Sequence, residues 1–444
     1  MSKKHLSTSP ENKEHSPQNN PNTPSEKSRL RSARSAMFAG MILAVLGGAK
    51  ADSGVEKHPK RALAGLTLET DKEIQKLSSP LTSTPSSAEN EPRKTFIGEK
   101  ILEKSLFPAF SGKKSLNGHE WAALCEQLLQ SPAFSEAAAL WKPQKLQGGN
   151  VTISDNEIFE ILNACVISTA HGHHALQGST GNTPAESAYQ LLKLNNPTHH
   201  QLHISIDGAA PLPPITFWSF EAPQDQSNGA AGMTIDGVTA CVTFPRQDEM
   251  HHLVAEKLGK RGINLNQEPS KSREKTIIHE GIHLADKKIW GNSHLETSTP
   301  ITSFEMNGLQ INTNPLTLIK IYELRACAIT NALETLPDTE ILISTANNLT
   351  SGSPNYRLYE DLFIVATYAC GAWSEVPKPT TSDEMLDMLA DLYAKGGAKL
   401  IRQINAMVAR SALKASEALN KNPTKTPELI RGTKQRGAPL ALPS

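Results

Sequence analysis

The chain has 444 residues, and its 45 basic side chains balance its 45 acidic ones. A balanced charge does not favour nucleic acid as a partner, because contacts to phosphates need an excess of lysine and arginine. The five cysteines are scattered and form no Cys-x-x-Cys pair, which argues against a disulfide-built miniature and a cysteine-built zinc ribbon.

The first 97 residues are predicted to be a leader outside the folded core. Residues 1–35 are almost all polar and cannot bury enough surface to offset the entropy lost on ordering. In the stretch 29–51, three arginines precede an apolar run and a small-x-small triplet, which is the layout of a secretory signal peptide. The prediction is export to the periplasm, cell surface or medium, with cleavage after Ala51.

The apolar run 36–48 also allows a second interpretation. Its 13 residues are fewer than the roughly 20 that span a bilayer, so no stable transmembrane helix is expected. The alternative to a signal peptide is a short apolar helix that associates with a membrane surface.

The folded part is predicted to span residues 98–420, which is enough for a substantial core. Before it, residues 78–92 are rich in proline, serine and threonine, which is typical of a linker that holds neither helix nor strand. After it, residues 421–444 contain four prolines and scattered charges, which is typical of a flexible tail.

This core is predicted to be α+β, with helices first, then a small antiparallel sheet, then a mostly helical half. Apolar side chains recur at helical spacing in two early segments, 119–131 and 155–170. Short β-branched and aromatic segments predict strands at 203–207, 215–220 and 238–244. From 248 onward every periodic segment is helical. The last two, 382–393 and 398–419, are predicted to pack in the core; a partner-binding hairpin is the alternative.

The segment Thr276–Ala285 contains His279-Glu280-Gly-Ile-His283 on a predicted helix. Residues four apart project from one face of a helix, so the two imidazoles can bind one metal ion. Glu280 lies about 100° round the helix from His279, which is near enough to act as a general base on a water there. The flanking apolar residues predict a buried helix. A bound metal would compensate the cost of burying its two histidines and the glutamate. The alternative is a chance match in a metal-free core helix.

Thr276 through Ala285 resemble the zincin metallopeptidases at every position of their extended motif, which runs from a Thr or Val, through His-Glu-x-x-His, to two apolar or uncharged residues. The resemblance covers this helix and, more loosely, a second one. It implies a zincin-like fold and one zinc ion per chain, held by His279, His283 and a third protein ligand. It also implies hydrolysis of peptide bonds in a peptide or protein substrate, with Glu280 taking a proton from the attacking water.

The third ligand is predicted to be Glu323, on a helix over 316–330. The metzincin extension of the motif is missing, whereas a glutamate on a second helix resembles the gluzincin arrangement. Glu323 also lies in an apolar stripe, where a carboxylate needs a cation. The alternatives are Glu296 as the third ligand, or an ion pair of Glu323 with Lys320 or Arg325.

Neighbouring residues are predicted to orient the metal ligands and to bind the substrate. Asp286 shares a face with the two histidines and is predicted to accept an imidazole N–H or to cap the helix end. Zincins add a side chain that stabilises the oxyanion, and the candidates here are Tyr322, Arg325, Tyr356 and Tyr359. In zincins the substrate backbone pairs with an edge strand above the motif helix, and 238–244 is predicted to be that strand.

Three further segments are rich in histidine: 171–174, 199–203 and 251–252. They are predicted to be exposed loops rather than a second metal site, because adjacent histidines point in different directions. The competing functional hypothesis is a zincin-fold metal-binding effector or recognition module without general protease activity. A surface protein with a coincidental motif is a third hypothesis, and the sequence indicates no oligomeric state.

Overall fold

The computed structural model describes residues 66–71, 91–141, 153–179, 183–206, 209, 212–227, 230–245, 247–265, 271–290, 301–316 and 318–421. The candidate signal peptide 29–51, the tail beyond 421 and Glu296 lie outside these residues. The described elements mix helices and a small sheet in an α+β fold, as predicted.

Most strands of the sheet follow a group of helices, as predicted: α1 (Glu91–Ile101), α2 (Gly118–Leu129), α3 (Pro132–Trp141) and α4 (Asp155–Val166). Helix α1 continues through a π-helical turn into the short helix Phe107–Phe110. Asn117 and Ser154 start α2 and α4 with capping boxes, in which each side chain accepts a backbone N–H of the first turn. Apolar faces of these helices share one cluster, which includes Trp121 and Phe134.

Two elements lie inside the predicted leader, so its boundary at residue 97 is wrong. Helix α1 begins at Glu91, within the predicted linker, because Pro92 lies in the first turn, where its missing N–H is not needed. Strand β1 (Leu66–Asp71) pairs antiparallel with the end of a later strand.

The described strands of the first sheet are β1, β2 (Leu116–Asn117), β3 (His173–Ser179), β4 (Ala188–Ile204), β5 (Ile215–Glu221), β6 (Gly232–Ile235) and β7 (Ala240–Thr243). Their order is β1-β4-β5-β7-β6, and β2 and β3 pair with the first half of β4. Neighbours are antiparallel except β5 and β7, which run parallel. The predicted strand 203–207 is only the end of β4, whose register shifts between Asn195 and Thr198 where Asn196 has a φ of 49°.

The prediction that 238–244 is an edge strand is wrong. Strand β7 lies between β5 and β6 and pairs with both. Among the described strands the end of the sheet is β6, a four-residue strand that contains a glycine and a methionine and gives little strand signal.

The later half is mostly helical, as predicted: α5 (Gln247–Gly259), α6 (Ser272–Trp290), α7 (Leu318–Ala332), α8 (Asp338–Thr350), α9 (Arg357–Ala369) and α10 (Ser382–Lys421). Helix α10 is broken at Gly397, which has a φ of 64° and separates the two predicted terminal helices. A hairpin of β8 (Ile301–Met306) and β9 (Leu309–Leu316) was not predicted. Its turn is Asn307-Gly308, both with positive φ, a common hairpin signal.

No helix among the described residues has both the length and the apolar character that a bilayer crossing needs.

Two of the histidine-rich segments lie in strands and the third, 251–252, lies in α5, so the prediction of loops is wrong for all three. His173 and His174 belong to β3, and 199–203 belongs to β4. Side chains alternate across a strand, which buries His200 with 3% exposed and leaves His203 at the surface. His200 Nε2 lies 2.7 Å from Ser219 Oγ.

His200 should make stability depend on pH. Burial, with smaller contributions from His199 and Arg273, lowers the pKa of His200 to about 4. In the unfolded chain a histidine titrates near 6.5, so the unfolded state takes up the proton first as pH falls. This stabilisation is present above about pH 6.5 and is lost toward pH 4, by up to about 3 kcal/mol.

Urea unfolding of the wild type and His200→Gln between pH 7 and pH 4 measures this effect. Glutamine can keep a hydrogen bond to Ser219 but does not titrate. The variant should lose less stability over this range. Parallel losses in both proteins would show that His200 is not the titrating group.

Candidate metal centre

Helix α6 carries the motif and packs closely on the sheet. Ile278 and Ile282 are fully buried and belong to the main core cluster. Gly281 lies against the sheet, since a Cβ there would be 2.9 Å from both Leu202 Cδ2 and Phe217 Cζ. The absence of a side chain at Gly281 therefore lets the motif helix approach the sheet.

Gly281→Ala is expected to destabilise the protein. Overpacking of this kind costs about 1–3 kcal/mol, which exceeds the helix-propensity gain of up to about 1 kcal/mol. Gly259→Ala is the matched control, because a Cβ at Gly259 in α5 would meet nothing within 4 Å. Chemical denaturation of both variants should show a loss only for Gly281→Ala. Equal stability of the two would contradict the close packing of α6.

Helix α7 brings Glu323 to the two motif histidines. His279 Nε2 and His283 Nε2 lie 3.2 Å apart. Glu323 Oε2 is 3.4 Å from His279 Nε2, and Glu323 Oε1 is 3.4 Å from His283 Nε2. Ligand atoms on a tetrahedral zinc, with bonds of about 2.0–2.1 Å, lie roughly 3.3–3.4 Å from one another. The three side chains are therefore spaced as metal ligands are.

This cluster is the one group of three or more potential ligands that the described residues bring together. Glu323 Oε2 is buried and has no hydrogen bond of normal geometry within the described part of the chain. Burial raises the pKa of Glu323, but the two imidazoles outweigh it and hold the pKa well below its usual range. An ionised carboxylate with one buried oxygen, beside two imidazole nitrogens, fits a bound cation.

Glu280 is buried beside this cluster and lines the same cavity. Burial raises its pKa to about 7; Glu323 adds to this effect, and His279 and Lys287 oppose it. A carboxylate with a pKa near neutrality can both accept and release a proton. Strand β6 passes directly over it, because a Cβ at Gly232 would lie 3.0 Å from Glu280 Oε1.

Arg325 pairs with Asp286 and not with Glu323, so the Arg325 part of that alternative is wrong, whereas the side chain of Lys320 lies outside the described residues. Arg325 is fully buried, and its Nε donates to Asp286 Oδ2 at 3.2 Å within a close ion pair. Its Nη1 also donates to Ser416 Oγ at 2.7 Å. Asp286 therefore pairs with a guanidinium, not with an imidazole as predicted. The ion pair joins α6, which carries the histidines, to α7, which carries the glutamate.

A cavity of about 520 Å³ lies beside the cluster, between α6, β6, α7 and α8. Of the four oxyanion candidates, Tyr356 lines it. Burial raises the pKa of Tyr356, so its hydroxyl stays protonated and can donate. Tyr359 instead donates to Asn405 inside the core, and Tyr322 packs against Arg325.

Two parts of this cavity were not predicted from the sequence. Strand β6 is too short to give a strand pattern, although it contributes Gly232. Helix α8 contributes Glu340, Ser344 and Asn348. Their spacing of four residues is visible in the sequence as a polar stripe on an otherwise apolar helix.

Comparison with known proteins gives no relative. No family model matches the chain, and no curated protein or solved structure matches it either.

Proposed function

We propose that this protein is a zincin-like, zinc-dependent peptidase that hydrolyses peptide bonds in a peptide or protein substrate. The observation that carries the proposal is the meeting of His279, His283 and Glu323 at 3.2 and 3.4 Å. Two imidazoles and one carboxylate are donors that suit zinc, whereas calcium and magnesium prefer oxygen ligands alone.

The residues of the site have separable roles. His279, His283 and Glu323 would hold the ion, which when bound would polarise the scissile carbonyl and acidify a water. Glu280 accepts the proton of the attacking water on its carboxylate and passes it to the leaving amine. Tyr356 donates its O–H to the oxyanion that forms on the carbonyl.

The substrate backbone is proposed to pair with β6 rather than with 238–244. Strand β6 is the end of the sheet order, and it lies directly over Glu280. Gly232 has no side chain to separate an extended peptide from the carboxylate. An edge strand can bind such a peptide through main-chain hydrogen bonds.

Metal analysis combined with a broad peptide library tests the proposal. The purified protein should hold about one zinc per chain, lose cleavage with a chelator and regain it with added zinc. Zinc without any cleavage would favour the alternative, a metal-binding effector or recognition module. Absence of zinc binding would refute both.

Export is part of the proposal through the layout of 29–51. Expression of the full chain with its leader, followed by fractionation and N-terminal sequencing, tests it. A mature protein that begins at Asp52 outside the cytoplasm is expected. A membrane-bound product that retains 36–48 would support the alternative of membrane association.

A further inference from the structure

The cavity beside the metal cluster extends away from it along α7. Glu323 lines one part, and Thr330 and Asn331 line another. These residues are separated along the helix axis by about 10 Å, at 1.5 Å per residue. The part that contains Thr330 and Asn331 is called the distal pocket below.

Helix α8 gives this cavity a polar wall. Glu340, Ser344, Asn347 and Asn348 line it, and among the described cavity-lining residues of α8 only Ile343 is apolar. Most other residues of α8 are buried, and Ile341 is fully buried in the main core cluster. A helix that turns its polar stripe toward an internal cavity favours a polar occupant.

Two acceptors in the distal pocket lack donors. Thr330 and Asn331 are buried, and neither Thr330 Oγ1 nor Asn331 Oδ1 has a hydrogen-bond partner within the described structure. Asn331 Nδ2 donates to Tyr359 Oη at 3.3 Å, and this hydroxyl donates to Asn405 Oδ1 at 2.7 Å. This bond holds the Asn331 amide in place and leaves its Oδ1 available to a group in the cavity. An occupant that carries N–H groups would satisfy both acceptors.

Glu340 gives the cavity a carboxylate outside the metal centre. Its side chain is 2% exposed and belongs to the first turn of α8, where the helix N-terminus stabilises a negative charge. The other cavity carboxylates, Glu280 and Glu323, belong to the metal centre. Lys275 is the one lysine or arginine that the described residues contribute to the cavity lining, and it lies on α6, one turn before His279.

We propose that the distal pocket selects substrates with a lysine or arginine next to the scissile bond. An ammonium or guanidinium group carries only donors, which matches Glu340, Asn331 Oδ1 and Thr330 Oγ1. Only a long side chain reaches from the metal cluster to this pocket, about 10 Å along α7. The inference rests on the proposed peptidase function and specifies its substrate class.

Cleavage of a peptide library by the zinc-loaded protein, read by mass spectrometry, tests this preference. Lysine or arginine should be enriched at one position beside the cleaved bonds. Glu340→Gln should lower kcat/KM for a basic substrate roughly 10–100-fold, the effect of losing one charge-assisted hydrogen bond. The matched glutamine substrate should change little. Glu334→Gln, an exposed acid between α7 and α8, is the control and should leave both unchanged.

A second variant tests the same preference if Glu340→Gln does not fold. Thr330→Val keeps the side-chain shape and removes one acceptor, so it should reduce the preference for basic substrates by a smaller factor. Cleavage with no preference for basic residues would overturn the inference and leave the proposed function standing.

If no peptide is cleaved, the proposed function fails and binding alone decides the inference. The protein is then titrated, with and without zinc, with N-acetyl-arginine methylamide and its glutamine counterpart, followed by NMR. Selective binding of the arginine compound that weakens at least tenfold in Glu340→Gln would support a cation pocket. Equal binding of the two compounds, or none, would overturn it.

Discussion

Glu280→Gln is expected to reduce peptide hydrolysis by about 10²–10⁴-fold, the usual contribution of a general base, while the protein keeps its zinc. The glutamine side chain has nearly the same shape and can occupy the same place against Gly232. It cannot, however, take a proton from the attacking water. Because Glu280 is not one of the three clustered residues, the ligand set remains intact.

The measurement is kcat for a cleaved peptide together with the zinc content of the same preparation. Glu274→Gln is the control, since Glu274 lies on the same helix and pairs with Lys271 near the surface. His279→Ala should behave in the opposite way to Glu280→Gln and lose the zinc itself. Wild-type activity in Glu280→Gln would show that Glu280 is not the general base. Loss of zinc from this variant would show that Glu280 is a metal ligand.

The motif helix could be predicted because its information is local. The spacing of His279 and His283 places both on one helix face whatever surrounds them. Glu323 could be predicted from chemistry, because a carboxylate in an apolar stripe needs a cation. Its actual neighbours could not be predicted, since Arg325 is two residues away in sequence but pairs with Asp286 on another helix, and Glu323 lies beside two imidazoles instead.

Strand order was the least predictable feature, because it depends on contacts between distant segments. Strand β4 pairs with β2 and β3 along its first half and with β1 along its second half. Its register shifts near Asn196, and nothing in the local sequence pattern predicts this shift. The edge position of β6 follows from where β7 inserts, between β5 and β6. In contrast, the Asn307-Gly308 turn was visible in the sequence between two alternating segments.

Arg325→Met is expected to lower the free energy of unfolding by about 3–5 kcal/mol at neutral pH, because it leaves Asp286 buried without its counter-charge. Burial raises the pKa of Asp286, and Arg325 opposes that effect. In the variant the main opposing effect is gone and only the smaller ones of His283 and His279 remain, so the pKa of Asp286 rises further and the folded state gains affinity for a proton. A carboxyl with a raised folded-state pKa stabilises at low pH and loses this contribution as pH rises. The deficit should therefore be largest near pH 7 and shrink toward pH 4.

Urea unfolding at both pH values measures this deficit. Arg273→Met is the control, because Arg273 pairs with Glu221 in a partly exposed ion pair and should cost less than about 1 kcal/mol. A deficit that does not change with pH would show that an uncompensated Asp286 charge is not its cause.

The double variant Asp286→Leu with Arg325→Met separates stability from positioning of the ligands. It removes both charges, so most of the stability lost in Arg325→Met should return. Its zinc affinity should stay about 10–100-fold below that of the wild type, as when groups that orient metal ligands are removed. The reason is that α6 and α7 then lack the ion pair that fixes the histidines against Glu323. Recovery of full zinc affinity would show that core packing alone sets the spacing of the three ligands.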